Sequence, residues 1–254
     1  GISFTGSVET GRKIAKLSGK NLKKLVLELG GSDPFIVLED ADLNLACNGG
    51  VSSRFKNCGQ ACNAAKRFIL VETIANEFIK KFVEITENLK VGDPLDENTQ
   101  MGPLASKEQL TKIEGQVNDA IAKGAKVLTG GKKLAGKGYF FQPTVLTQVT
   151  REMKVLKEEV FGPVAPMVVV KNEREAIRKA NDTEFGLGAS IWSKDEEKAE
   201  KLAKEVDAGT VFINKVVSSN PKLPFGGVKQ SGIGREMARY GLLEFTNIKP
   251  IVIG

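Results

Sequence analysis

"KLVLELGGSDPFIVLED", residues 24 to 40, holds two short apolar runs divided by a Gly-Gly-Ser-Asp break. Each run has strand length and is bounded by turn residues or charges. Working outward, "RFILVE" (67–72), "APMVVVKN" (165–172), "GASIWS" (188–193) and "GTVFIN" (209–214) read the same way. Between them lie stretches of helical period: residues 73–89, 106–124 and 195–209. Strands alternating with helices predict an α/β fold, a mostly parallel sheet flanked by helices. No internal repeat or low-complexity segment interrupts the order, and "NPKLPFGGVKQSGIGRE" (220–236) is the most loop-like stretch.

With 254 residues, 41% hydrophobic and 27% charged, the chain can bury a sizeable core. The formal net charge of +6 is spread through mixed-sign segments such as "SKDEEKAEKLAKEVD" (193–207), not gathered into a basic tract. Nucleic acid is therefore not an expected partner. No apolar run reaches the roughly 18–20 residues that a membrane span needs, and no secretory leader pattern opens the chain, so no membrane role is expected. Three cysteines form no even disulfide framework, which predicts free thiols and a cytoplasmic setting. The opening "GISFTGSVETG" has no initiator Met and reads like the middle of a strand and glycine turn, as expected of a piece of a longer protein.

The absence of histidine excludes Ser-His-Asp and Cys-His hydrolase designs and His-ligated zinc. Cys47, Cys58 and Cys62 lack the second thiol pair of a Cys-only zinc site, so no metal is predicted. Cys58 and Cys62 are spaced C-x-x-x-C, one residue too far for the usual redox motif. A single working thiol is left, or a set of small buried hydrophobes. Cys62 is the candidate nucleophile, because "GQAC" sets a flexible Gly-Gln ahead of it in a turn able to present sulfur and backbone N–H together. At the ordinary pKa near 8.5 such a thiol needs a base or a positive field. Glu28, at the end of an apolar strand before Gly30 and Gly31, is the candidate base, since an apolar setting raises a carboxyl toward neutrality. The same glutamate also reads as a solvated strand edge.

"FTGSVETG" (4–11), "LELGGSDP" (27–34), "GQAC" (59–62), "EEVFGPV" (158–164) and "PFGGVKQSGIGRE" (224–236), in that order and at matching separations, resemble the aldehyde dehydrogenase superfamily. The resemblance covers the chain from Phe4 onward. It implies that Cys62 attacks an aldehyde to form a thiohemiacetal, that NAD or NADP is reduced, and that Glu28 activates the water that hydrolyses the resulting thioester. It implies further that Gly6, Ser7, Leu29, Glu159 and Phe161 bind the cofactor: Gly6 and Ser7 at a helix N-terminus suited to phosphate, Glu159 at the nicotinamide ribose with Phe161 beside it. "AAKRFI" and "NDTEFGL" are most similar to succinate-semialdehyde dehydrogenases, which implies substrate contacts for Lys56, Ser219 and Phe225. Lys56 stands where those enzymes commonly carry Arg, which removes the bidentate grip on a carboxylate.

The same resemblance implies three segments: residues 1–30 as the end of the cofactor domain, 31–229 as the catalytic domain, and 230–254 as a return segment with a final strand that builds a homodimer or homotetramer. The family's asparagine oxyanion donor and adenine-ribose residues have no counterpart here, so this chain alone is expected to be inactive. Ser32 replaces a lysine common among relatives, with little effect expected on the chemistry. CoA-acylating relatives generally lack the glutamate at position 28, and noncatalytic members tend to lose the cysteine, so both alternatives fit less well.

Overall fold

The two apolar runs of residues 24–40 become strands of different sheets, and the Gly30–Ser32 break is the passage between them. The structure is a computed structural model that describes all residues from Gly1 to Gly254. In chain order its strands are β1 (Ile2–Thr5), β2 (Leu25–Glu28), β3 (Asp33–Val37), β4 (Ala65–Val71), β5 (Lys126–Thr129), β6 (Thr144–Thr147), β7 (Val164–Val170), β8 (Phe185–Gly186), β9 (Gly188–Trp192), β10 (Thr210–Ile213), β11 (Val228–Lys229) and β12 (Gly232–Ile233). The helices are α1 (Val8–Lys20), α2 (Leu43–Phe55), α3 (Glu72–Glu87), α4 (Lys107–Ala122), α5 (Lys154–Lys157), α6 (Glu173–Asn181), α7 (Glu196–Ala203) and α8 (Ala238–Glu244), with a 3-10 turn at Lys56–Gly59.

The large sheet runs β10-β9-β3-β4-β7-β6-β5, and only β5 is antiparallel. Its central strands β3 and β4 are buried along their whole length, as the unbroken apolar runs require of strands covered on both faces. Alternate residues divide between two cores. Phe35, Val37, Phe68 and Leu70 pack with Phe78 and Phe82 of α3, while Ile36, Ile69 and Val71 pack with Ala176, Ile177 and Ala180 of α6. The second, small sheet runs β1-β2-β12, with β1 and β2 parallel and β12 antiparallel to β2.

Helix starts follow local chemistry. Ser7, Asp42, Ser106, Asn172 and Asp195 each accept a hydrogen bond from a backbone N–H of the first turn. The helix α2, not anticipated from periodicity, carries two adjacent glycines. Gly50 lies where a Cβ would come within 2.9 Å of Phe68 and 3.0 Å of Phe82, so the glycine lets the helix approach the sheet.

The strand expected at the end of the chain is not formed. No residue after Thr246 takes part in a backbone–backbone hydrogen bond, and Ile248, Val252 and Ile253 are 95%, 90% and 92% exposed. An extended segment needs a second edge to pair its N–H and C=O groups, and this chain offers none there.

Candidate active site

At the C-terminal end of β2, Glu28 sits between two backbone neighbours: it pairs with Thr5 of β1 on one side and Gly232 of β12 on the other. Its carbonyl accepts from Gly6 N at 3.0 Å, which ties the turn before α1 directly to this strand end. Beyond it, Leu29 N donates to Ser231 O at 2.9 Å and Ser231 Oγ donates to Gly30 O at 2.7 Å. Gly31 N then donates to Glu159 Oε1 at 3.1 Å. Gly30 has a steric reason to be glycine, because a Cβ there would lie 2.5 Å from Glu159 Oε2.

Cys62 is carried by the loop between the 3-10 turn and β4. Asn57 and Cys58 both take left-handed backbone angles (φ 51° and 55°), a conformation that costs a non-glycine residue roughly 1–2 kcal/mol. Surrounding contacts hold it in place. Arg54, fully buried, donates from Nη2 to Gly59 O at 2.6 Å and from Nη1 to Ala65 O at 2.9 Å. Gln60, expected to be flexible, is instead pinned: its Nε2 donates to Asn57 O at 3.1 Å and its Oε1 accepts from Ala105 N at 2.8 Å. A glutamine in a tight loop satisfies backbone groups that would otherwise be left open. Cys47 and Cys58 are buried, whereas Cys62 is half-buried.

Lys66 and Arg67 follow Ala65 at the start of β4, and both are buried. Lys66 Nζ donates to Ala61 O at 2.9 Å and Cys62 O at 2.5 Å, with Glu159 Oε1 at 3.7 Å. Arg67 Nε donates to Ser32 O at 2.9 Å and Ser32 Oγ at 3.1 Å, and its Nη atoms reach Lys179 O and Ala180 O, each at 2.8 Å. Those last carbonyls end α6, where a cation suits the helix dipole. Ser32 is therefore an interior partner of Arg67; a lysine in the same orientation would set two cations together.

A cavity of about 380 Å³ joins these elements. Thr5, Gly6, Ser7, Glu28, Leu29, Gly30, Gln60, Ala61, Cys62, Glu159 and Phe161 line it, together with Gln109 and Lys112 of α4. Seven residues singled out from sequence (Cys62, Glu28, Gly6, Ser7, Leu29, Glu159 and Phe161) thus meet around one space. Lys56 and Ser219 are exposed, Phe225 is buried, and none of the three borders this cavity. The sequence reading missed Arg54, Lys66, Gln109 and Lys112. For Lys66 a signal existed: two successive cations at the head of an apolar strand must be buried, and buried charge needs partners.

The electrostatics couple thiol and carboxyl. Burial raises the Glu28 carboxyl above its ordinary range; hydrogen bonding to Cys62 opposes this, and the Glu236 and Glu159 carboxylates add to it. Glu28 Oε1 has no hydrogen-bond partner, so the contact with the thiol leaves acceptor capacity free. Burial, and next the Glu28 charge, push the Cys62 thiol up to about 12. Glu28 is then the acceptor nearest at hand for the thiol proton.

The cavity fits a nicotinamide dinucleotide in its donor set. Its lining includes the N-terminus of α1, capped by Ser7, which offers N–H groups and positive dipole, and the Glu159 carboxylate, which can accept from hydroxyls.

The sequence profile described as "Aldehyde dehydrogenase family" matches residues 1–251. Over 250 residues the chain is 48% identical to the succinate semialdehyde dehydrogenase [NAD(P)+] Sad of Escherichia coli K12, covering 98% of this chain and 54% of that protein. Over 252 residues it is 48% identical to a succinate-semialdehyde dehydrogenase [NADP(+)] of Mycobacterium ulcerans, covering 99% and 55%. Among solved structures, that of Gox0499, described for its cofactor and substrate selection, superposes with a TM-score of 0.97 at 44% identity, covering 99% of this chain and 55% of the other. The chain thus spans about half the length of the relatives it matches.

Proposed function

The chain belongs to the aldehyde dehydrogenase family, and from that premise we propose that the protein carrying it oxidises an aldehyde to the carboxylic acid through a thioester on Cys62. The observation that carries the reading is the shared cavity, bordered by the one half-buried thiol, the Glu28 carboxyl and the residues matched to the family's cofactor site.

Glu28 takes the thiol proton, and Cys62 Sγ bonds to the carbonyl carbon. The oxygen becomes an alkoxide, and the Cys62 backbone N–H is aimed at it. When bound, the oxidised nicotinamide supplies a positive field and takes the two electrons and hydrogen of the aldehyde C–H. The carbonyl re-forms as a thioester. Glu28 gives up the thiol proton to solvent and then, ionised again, accepts a proton from water as the water oxygen bonds to the acyl carbon; the carboxylic acid leaves as the thiolate is released. Hydrolysis rather than acyl transfer to CoA is favoured by the presence of Glu28.

Succinate semialdehyde or a related semialdehyde is the proposed substrate, from likeness to the two dehydrogenases above, with Lys56, Ser219 and Phe225 on its far side. NAD or NADP is the proposed cofactor. Residues 1–30, 31–229 and 230–254 are proposed as cofactor-domain end, catalytic domain and return segment. The small sheet of β1, β2 and β12 supports that division. The exposed apolar tail supports a homodimer or homotetramer, since a second copy would cover it. A cytoplasmic location is proposed from the free thiols alone. By itself this chain is expected to turn over no aldehyde, because it has no asparagine matching the family's second oxyanion donor.

Rapid mixing of the whole protein with NAD(P) and succinate semialdehyde tests the reading. A burst of reduced cofactor followed by slower turnover without CoA is expected. No burst would sink the dehydrogenase reading, and a strict CoA requirement would select acyl transfer.

A further inference from the structure

We propose that Lys66 is the positioning residue for the oxyanion-binding amide of Cys62, a role that rests on the thioester reading above. The ammonium is completely buried, and it donates to two consecutive carbonyls, Ala61 O at 2.9 Å and Cys62 O at 2.5 Å. The Ala61 carbonyl and the Cys62 N–H belong to one peptide unit. No peptide bond in the chain is cis, so the two groups point in opposite directions. With its oxygen held on the ammonium, the unit turns its N–H away from Lys66. That N–H donates to no acceptor within the protein, and Cys62 borders the cavity. An unpaired donor beside a nucleophilic sulfur is what a developing alkoxide requires. Charge assistance at the carbonyl also polarises the amide and strengthens its N–H as a donor.

The same ammonium lies 3.7 Å from Glu159 Oε1, which also accepts from Gly31 N at 3.1 Å. One buried cation therefore links the loop that carries the nucleophile to the carboxylate on the cofactor side. Arg54 fixes the ends of the loop, at Gly59 and Ala65, and leaves its middle to Lys66. Neither carbonyl of Ala61 nor of Cys62 has another charged partner.

The test compares Lys66→Met, Lys66→Gln and Lys66→Arg in the whole protein by three readouts: the burst rate, the limiting alkaline rate of Cys62 alkylation by iodoacetamide, and the melting temperature. Alkylation needs the thiolate and no oxyanion donor. A tenfold or greater loss of burst rate is expected for Lys66→Met, set against the roughly 10²–10³-fold that loss of one oxyanion donor costs. Its limiting alkylation rate is expected to stay within about twofold, for lack of any oxyanion in that reaction. Lys66→Arg should recover part of the burst. Equal loss of burst and alkylation would point to a collapsed loop and overturn the proposal, as would an unchanged burst. If Lys66→Met does not fold, Lys66→Gln, which keeps an N–H donor for the carbonyls without the charge, carries the same expectation, and an unchanged burst there overturns it. Cys62→Ala is measured alongside: turnover by that variant would overturn the thioester reading itself, whatever Lys66 does.

Discussion

Cys62 and Glu28 act as one titrating unit. The Glu28 charge raises the Cys62 thiol beyond what burial does, while the hydrogen bond from Cys62 lowers the Glu28 carboxyl against its own burial, so the two titrate together. Cys62→Ala should abolish oxidation and leave cofactor affinity within about twofold, because the sulfur supplies a bond to substrate and none to the dinucleotide. Equilibrium binding beside steady-state turnover checks both halves. Glu28→Gln should slow release of the acyl group, so that thioester accumulates and is trapped in acid-quenched samples. That variant makes a second, opposite-signed prediction. With the neighbouring carboxylate gone, the Cys62 alkylation midpoint should move down in pH, since Glu28 is what raises it after burial. An unmoved midpoint would mean that the two groups are not in contact. These two residues were legible in sequence as candidates, because a glycine turn follows the strand that ends in Glu28 and a Gly-Gln turn precedes Cys62. Lys66 was not. Its partners are backbone carbonyls, which any sequence supplies, and only the turn of the loop brings them to the ammonium.

Among the elements, β4 does the most to locate the site. Its second and third residues, Lys66 and Arg67, hold the nucleophile loop and the Gly30–Ser32 passage, and its remaining residues fill both cores. Phe68 sits in the first of these cores, with ring centroids 5.0 Å from Phe35 and 4.9 Å from Phe82. Phe68→Ala should cost about 3–5 kcal/mol in chemical denaturation, from lost burial plus the cavity left among aromatic neighbours. A loss below about 1 kcal/mol would show that the helices can close onto the sheet, contrary to interior packing density. Strands β3, β4, β7 and β9 were readable because a strand buried on both faces is a continuous apolar run, and the half-buried edge strand β10 because of its short apolar run between Gly209 and Asn214. By contrast α2 was not readable, since its glycines and small residues face close neighbours and leave no periodic stripe.

At the scale of the molecule, one buried carboxyl outside the cavity lining sets a pH dependence. Asp33 lies between the sheets' passage and β9, accepts from Gly188 N at 3.1 Å, and leaves Oδ2 unpartnered. Burial raises it to about 7, against the pull of Lys66 chiefly, then the Gly188 N–H and Arg67. Because the folded value lies above the unfolded one, the folded state binds the extra proton; the stabilisation is full below about pH 4 and is lost as pH rises through about 7. Asp33→Asn should remove this term. The change in melting temperature relative to the parent should be more positive at pH 8 than at pH 5, and equal shifts at the two values would refute a raised Asp33. The exposed apolar residues after α8 belong to this scale too, since no element of the chain covers them.

The sequence by itself determined the central strands of the large sheet, that no histidine of this chain can serve a site, and which thiol and carboxyl are candidates for the chemistry. Those properties follow from local apolar period, from composition, and from turn residues whose backbone angles are limited. Tertiary structure alone decided that the thiol and carboxyl border one cavity, that Lys66 and Arg54 grip the carbonyls around Cys62, and that the chain's end stays unpaired. Each depends on groups far apart in sequence, or on backbone atoms that carry no residue signature, and their energies exist only once the sheets have formed.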